Sequence, residues 1–439
     1  MEKTKILLQN IRHYVLDNGL KVICLPKKES QIVCIQIWYL TGSANEYDGI
    51  RGISHFFEHM MFRGSKNIGP EEHAKKINEV GGHYNAFTAE DVTAFINSVP
   101  KEYLDMVLYM ESDRMSDLII NEKVLETERN VIIEEYQTYM NNPLSKAFLE
   151  FRKEFFKDNP YEYSALGRLE DIKSINVNDC QNYYKKWYCP NNAIMVIVGD
   201  FENSEMVFEK VEAHFKRHER REISAEKKEI KKLNSNNVFM KREVDFDVPV
   251  CIVGYPAPCA SSVDTIPLEI LQIILSHGET GRLNKEVVRK NSLAIMAGGI
   301  NQFLKYSGMS LFFAIFTPNI SINKIKDAIL NQIEQIKDGN IKEKEMEKVK
   351  NSVIMNRVFE LYLCDNICQR LAYSEAIEGN YKLWVERLSA LDTITIDDLI
   401  NAAKKYWNSS ESKTLYLKPK KINPLVYFMG LLRKFLPNK

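Results

Sequence analysis

Gly52-Ile53-Ser54-His55-Phe56-Phe57-Glu58-His59-Met60-Met61-Phe62-Arg63-Gly64 is the most informative stretch of this 439-residue chain. A helix turns about 100° per residue, so His55, Glu58 and His59 share one arc of roughly 100°. Ile53, Phe56, Phe57, Met60 and Met61 point the other way. The spacing predicts a helix with an apolar back and a front of two imidazoles and one carboxylate. Gly64 stands where the chain leaves that helix and a positive φ is wanted. Two histidines at i, i+4 can hold one metal ion, and the neighbouring carboxylate can reach a water on it. H-x-x-E-H is the zinc-peptidase pattern in inverted order.

A metal needs a third protein ligand, and residues 121–140 offer one. Asn121 is placed to cap a helix on which Val124, Leu125, Glu128, Val131, Ile132, Glu135 and Tyr139 lie within about 60° of one direction. Glu128 and Glu135 therefore fall on the apolar stripe, two turns apart, while Glu134 points about 100° away towards solvent. A carboxylate on a buried face is costly unless it is paired or binds a metal. Either Glu135 or Glu128 is expected to join His55 and His59, with the other supporting the site.

The rest of the composition is ordinary. Apolar residues make up 45% and charged residues 27% of the chain, and 59 basic residues balance 59 acidic ones. No charge excess favours nucleic acid or a membrane, and no Gly-rich phosphate loop or basic aromatic patch is present. The first residues lack the apolar run of a signal peptide, and no window approaches the roughly 20 apolar residues of a membrane span. The eight cysteines are scattered without a C-x-x-C, as expected of reduced core residues in a cytoplasmic protein. Cys364 and Cys368, at i, i+4, are read as packing residues.

Residues 12–25 alternate and break at Asp17-Asn18-Gly19, which predicts a hairpin. Residues 31–40, 83–89, 92–99 and 193–199 read as strands, with helices between them: an α+β pattern of helices packed on a sheet. Residues 218–237 are dense in Lys, Arg and Glu and are expected to be a solvated linker. Beyond it the same order of strands and helices restarts, without H-x-x-E-H. The expected organisation is residues 1–217, a linker at 218–237, a metal-free duplicate at 238–420, and an apolar tail at 421–439. That tail, too short to span a bilayer, is expected to meet a partner or a lipid surface, or to fold back on its own domain.

His55-Phe-Phe-Glu58-His59, followed by a helix with Glu128-Arg129 and a second glutamate seven residues on, resembles the inverzincin peptidases. These include pitrilysin, insulysin and the mitochondrial processing peptidase. Gly81-Gly-His-Tyr-Asn85-Ala86-Phe87-Thr88 also resembles that family's substrate-binding edge strand. The resemblance implies two α/β halves enclosing a chamber, with Zn²⁺ on His55, His59 and Glu135. It further implies Glu58 as proton acceptor and Glu128 as support. Asn85 and Ala86 would align the substrate backbone, and Phe87 would line a side-chain pocket. In the family the second half supplies an Arg and a Tyr to the substrate. Arg289 fits the first, but Ile295 or Met296 stands where the Tyr belongs, and neither can donate a hydrogen bond. The resemblance therefore implies a zinc-bearing endopeptidase subunit for short, unfolded or leader-type peptides. Its partner would be a related peptidase-like subunit carrying the Arg and Tyr. The alternatives are a self-sufficient homodimer or monomer using Arg289 and Tyr306, or a non-catalytic scaffold of the same fold.

Overall fold

The computed structural model describes residues 9–223, 233 and 236–432. The hairpin forms at Asp17-Asn18-Gly19: β1 (Arg12–Val15) pairs antiparallel with β2 (Lys21–Pro26), and Gly19 turns with φ of 90°. With β3 (Ile32–Tyr39), β4 (His83–Thr88), β5 (Thr93–Pro100) and β6 (Ala193–Gly199) it builds a sheet in the order β1-β2-β6-β3-β5-β4. Helices α1 (Ile53–Met60) and α2 (Glu72–Glu79) follow β3. Next come α3 (Leu104–Ser116), α4 (Glu122–Asn141), α5 (Pro143–Phe155), α6 (Leu169–Ser174) and α7 (Val177–Trp187), and α8 (Ser204–Phe215) follows β6. Alternation along β3 sends Val33, Ile35, Ile37 and Tyr39 into one core with Ile53, Phe56, Phe57 and Met60 of α1. The apolar back read from the sequence is therefore the face that docks α1 on the sheet.

The second sheet repeats the first. Its strands β7 (Val238–Val244), β8 (Val250–Ala257), β9 (Met296–Phe303), β10 (Gly308–Ile315) and β11 (Lys413–Pro419) lie in the order β7-β11-β8-β10-β9. Setting β1 aside, this is the order β2-β6-β3-β5-β4 with each pairing direction kept: one parallel pair, then three antiparallel pairs. Helix α9 (Thr265–Ser276) occupies the place of α1 between the second and third strands of its half. It buries Ile270, Leu271 and Ile274 in the second core and carries no H-x-x-E-H. Helices α10 (Ile322–Lys337), α11 (Glu343–Glu360), α12 (Cys364–Tyr373), α13 (Leu383–Thr393) and α14 (Ile396–Tyr406) precede β11, and α15 (Pro424–Leu432) follows it. The two halves are thus homologous, a relation that sequence identity alone leaves unproven.

The two compact units are not the sequential halves expected from the charged linker. One comprises Met1–Thr138, Tyr163–Glu229 and Arg357–Glu386; the other comprises Tyr139–Glu162, Ile230–Asn356 and Arg387–Lys439. The physical reason is that the central strands of each sheet are buried on both faces. In the first unit the other face of β3 is covered by α12. Asp365 accepts from Cys34 and Ser98, both at 2.7 Å, and Cys368 Sγ donates to the Cys34 carbonyl at 3.4 Å. In the second unit α5 does the same for β8 and β11. Lys413 donates to the last carbonyls of α5, and a Cβ on Gly254 would come within 3.1–3.2 Å of Phe155 and Phe151. Each half lends one helix to the other's sheet. All eight cysteines are free thiols, and seven are buried. Parts of the expected linker (224–232 and 234–235), the end of the tail (433–439) and residues 1–8 lie outside the described residues.

Candidate metal centre

Helix α1 begins at Gly52, whose φ of 103° reverses the chain into the first turn. The orphan N–H groups there are met by a buried carboxylate that the sequence reading missed. Glu46 accepts from Gly52 N at 2.7 Å and from Ser54 N at 2.9 Å. Burial pushes the Glu46 carboxyl above its ordinary value, against the pull of those two hydrogen bonds. A second carboxylate, Asp171, accepts from Gly49 and Arg51 N at 2.9 and 3.1 Å. Ser54 Oγ is also linked to the Tyr183 hydroxyl at 2.8 Å. Gly167 must be glycine for this packing: a Cβ would lie 2.5 Å from Gly52 Cα, and its φ is 72°. The helix carrying the histidines is thus fixed at its N-terminus by several independent contacts.

On its front, His55 Nε2 and His59 Nε2 lie 3.3 Å apart, and Glu135 Oε2 from α4 is 3.5 and 3.6 Å from them. Among the described residues this is the one group of three potential metal ligands whose donor atoms converge, all within 4.8 Å. Zn–N and Zn–O bonds of about 2.0–2.1 Å at tetrahedral angles put ligand atoms about 3.3–3.4 Å apart. The donor set and its spacing therefore fit Zn²⁺, with a fourth corner left for water or substrate. Glu128, the other stripe glutamate, is fully buried beneath. Its Oε2 is 3.2 Å from His59 Nδ1, and its Oε1 is 2.5 Å from Arg63 Nε. With Nδ1–H donating to Glu128, His59 Nε2 is left as a lone pair facing Glu135.

The electrostatics follow from these contacts. Burial, and then the neighbouring His59, lower the His55 pKa to about 4, against the pull of Glu135. Burial also disfavours the charged form of His59, but Glu128, Glu135 and Glu58 outweigh it and raise its pKa. Burial pushes the Glu128 carboxyl up, yet His59 and Arg63 hold it below the usual carboxylate range. Glu58 is half-buried on the same helix face as the two histidines.

Glu135 departs from the buried stripe expected for it: its side chain is 48% exposed. Leu125, Glu128 and Ile132 are buried, but the packed face of α4 ends there, and Tyr139 is exposed. Arg63 was not anticipated either, although it stands one turn after His59. Arg129, beside Glu128, is buried and donates to the carbonyls of Ile172 and Ile175, tying α4 to the end of α6.

Asn85, Ala86 and Phe87 lie on β4, an edge of the first sheet, opposite Ile96, Phe95 and Ala94 of β5. The Ala86 N–H donates to Asn85 Oδ1 at 2.9 Å, so a strand added at this edge would displace that side chain. Phe87 packs edge-on against Trp38 at 5.3 Å. Arg289 belongs to the second unit, where its guanidinium is 2.6 Å from Glu279. Ile295 and Met296 are exposed, and Tyr306 lies in the turn between β9 and β10.

A histidine pair in H-x-x-E-H order, faced by a glutamate from a second helix on one of two duplicated halves, defines the inverzincin class of peptidase fold. Residues 21–168 match the profile of insulinase (peptidase family M16), and residues 174–353 match that of the peptidase M16 inactive domain. The chain belongs to peptidase family M16. It is 26% identical over 409 residues to the zinc protease PqqE of Helicobacter pylori, covering 92% of each chain. The crystal structure of a protease from Helicobacter pylori superposes with a TM-score of 0.87 at 26% identity, over 93% of this chain and 99% of that one. The mitochondrial-processing peptidase subunit beta of Caenorhabditis elegans is 24% identical over 408 residues, covering 89% of this chain and 86% of its own.

Proposed function

We propose that the chain is a zinc-dependent endopeptidase subunit acting on short or unfolded peptides. The observation that carries this reading is the convergence of His55 Nε2, His59 Nε2 and Glu135 Oε2 at tetrahedral-edge spacing beside Glu58. His55, His59 and Glu135 would hold the ion, and its chemistry is Lewis acidity, which polarises a peptide carbonyl and eases loss of a proton from water. Glu58 takes the proton of the attacking water and delivers it to the leaving amine. Glu128 holds the His59 ring and is itself held by Arg63. A peptide adding to the edge of β4 as an extra strand would be aligned by its main chain, displacing Asn85 Oδ1 from the Ala86 N–H. The matched zinc proteases support the zinc assignment, and the match of the second half to an inactive domain agrees with its lack of ligands.

Glu58→Gln tests the reading. The variant is expected to keep about one zinc per chain and to lose hydrolysis by about 10²–10⁴-fold, because the proton acceptor alone is removed. Cleavage at the wild-type rate by the zinc-loaded variant would show that the role given to Glu58 is wrong.

A further inference from the structure

The nine residues of α15, Pro424–Leu432, include no charged side chain. On a structured protein surface such a helix is normally covered, yet here Leu425 is 67% and Phe428 57% exposed, with Ile422, Tyr427 and Leu431 exposed beside them. Along the sequence, the charge flanking it is one-sided. Lys420 and Lys421 precede the helix, and Arg433, Lys434 and Lys439 follow in the sequence, with no acidic residue anywhere after Glu411. A rise of 1.5 Å per residue makes the helix about 14 Å long, under half of the roughly 30 Å hydrocarbon core. Among the described residues no helix is long and apolar enough to cross a membrane.

We propose that residues 420–432 dock the protein on an anionic lipid surface. The apolar helix enters the boundary between headgroups and acyl chains, and the exposed Lys420 and Lys421 pair with acidic headgroups. A protein groove offers no general reason for uniform positive charge at both ends of an apolar segment. An anionic bilayer does, since each basic residue near it strengthens partitioning roughly fivefold. Tyr427 and Phe428 suit the interfacial depth. This inference is independent of the metal centre.

Flotation of the full zinc-loaded chain with vesicles tests it. The chain is expected to float with phosphatidylglycerol–phosphatidylcholine vesicles, at least tenfold less with phosphatidylcholine alone, and less as salt is added. Leu425→Asp/Phe428→Asp and, separately, Lys420→Glu/Lys421→Glu should each weaken anionic-vesicle binding at least tenfold, with melting temperature and zinc content unchanged. If the first pair fails to fold, the second carries the test, since it lies wholly on exposed lysines. Absence of vesicle binding by the full chain, or binding undiminished in a folded variant, overturns the proposal. So does a Leu425→Asp/Phe428→Asp variant that changes from dimer to monomer without any change in vesicle binding, because the helix would then be a self-interface.

Discussion

At the scale of single residues, the centre depends on groups that would not themselves touch the metal. Glu128 is buried and has two cationic or proton-donating neighbours, His59 and Arg63, so its charge is well supported. Glu128→Gln keeps the shape but weakens the hold on the His59 ring. Zinc affinity is expected to fall about 10–100-fold, measured by competition with a chromophoric chelator, the usual loss when a ligand histidine's partner is removed. An unchanged affinity would mean that Glu128 only packs. A different residue sets part of the acid stability. His73 is buried on α2, with Nε2 3.0 Å from Asn97 Oδ1; burial, with Arg114 nearby, lowers its pKa to about 4. Its folded pKa lies below the unfolded value near 6.5, so the unfolded chain takes up the proton first. This contribution to stability is therefore complete above about pH 6.5 and is lost as pH falls towards 4, amounting to about 3 kcal/mol. His73→Gln should flatten the stability–pH curve over that interval in denaturant titrations, and a slope identical to wild type would exclude His73 as its source.

At the scale of elements, α1 is held by its beginning more than by its own propensity, for eight residues are too few to form a stable helix alone. Glu46→Gln puts an amide where two N–H donors converge, and only one of its atoms can accept. A loss of about 1–3 kcal/mol is expected on chemical denaturation, with weaker zinc binding because the histidine pair loosens with its helix. A variant as stable as the parent would show that Ser54, Tyr183 and Asp171 suffice. Much of this region was legible beforehand. The 3.6-residue period exposed both the front and the back of α1, and the two-turn spacing of Glu128 and Glu135 brought α4 to it. What escaped notice was whatever the chain supplies from a turn or from a distance. Glu46 reaches α1 from a loop without periodicity, Asp171 holds the chain just before α1 from the distant short helix α6, and the exposure of Glu135 depends on where the packed face of α4 stops. The exchange of α5 and α12 was equally hidden. The apolar runs of β3 and β6 signal strands buried on both faces, but nothing in them says which distant helix provides the second cover.

At the scale of the whole molecule, duplication has left one half with the His55, His59 and Glu135 cluster and the other, among the described residues, with no such cluster, and the missing tyrosine bears on whether one chain suffices. The self-sufficient alternative needs Arg289 and Tyr306 to act on one carbonyl. They flank opposite ends of β9, an eight-residue strand spanning about 26 Å. Arg289 is engaged by Glu279, and Tyr306 stacks on Tyr161 with ring centroids 6.2 Å apart. The side chains of Ile295 and Met296 have no donor to offer. We therefore expect the zinc-loaded chain alone to cleave unfolded peptides about 10²–10³-fold more slowly than the same chain with a related subunit carrying both Arg and Tyr, the cost of one missing oxyanion donor. Turnover of the isolated chain, measured before and after adding candidate subunits, decides the matter. Full activity without a partner, abolished by Tyr306→Phe, would overturn the two-chain reading. Rescue by a subunit whose own Arg and Tyr are intact, and its loss when that Tyr is replaced by Phe, would place the missing donor on the partner.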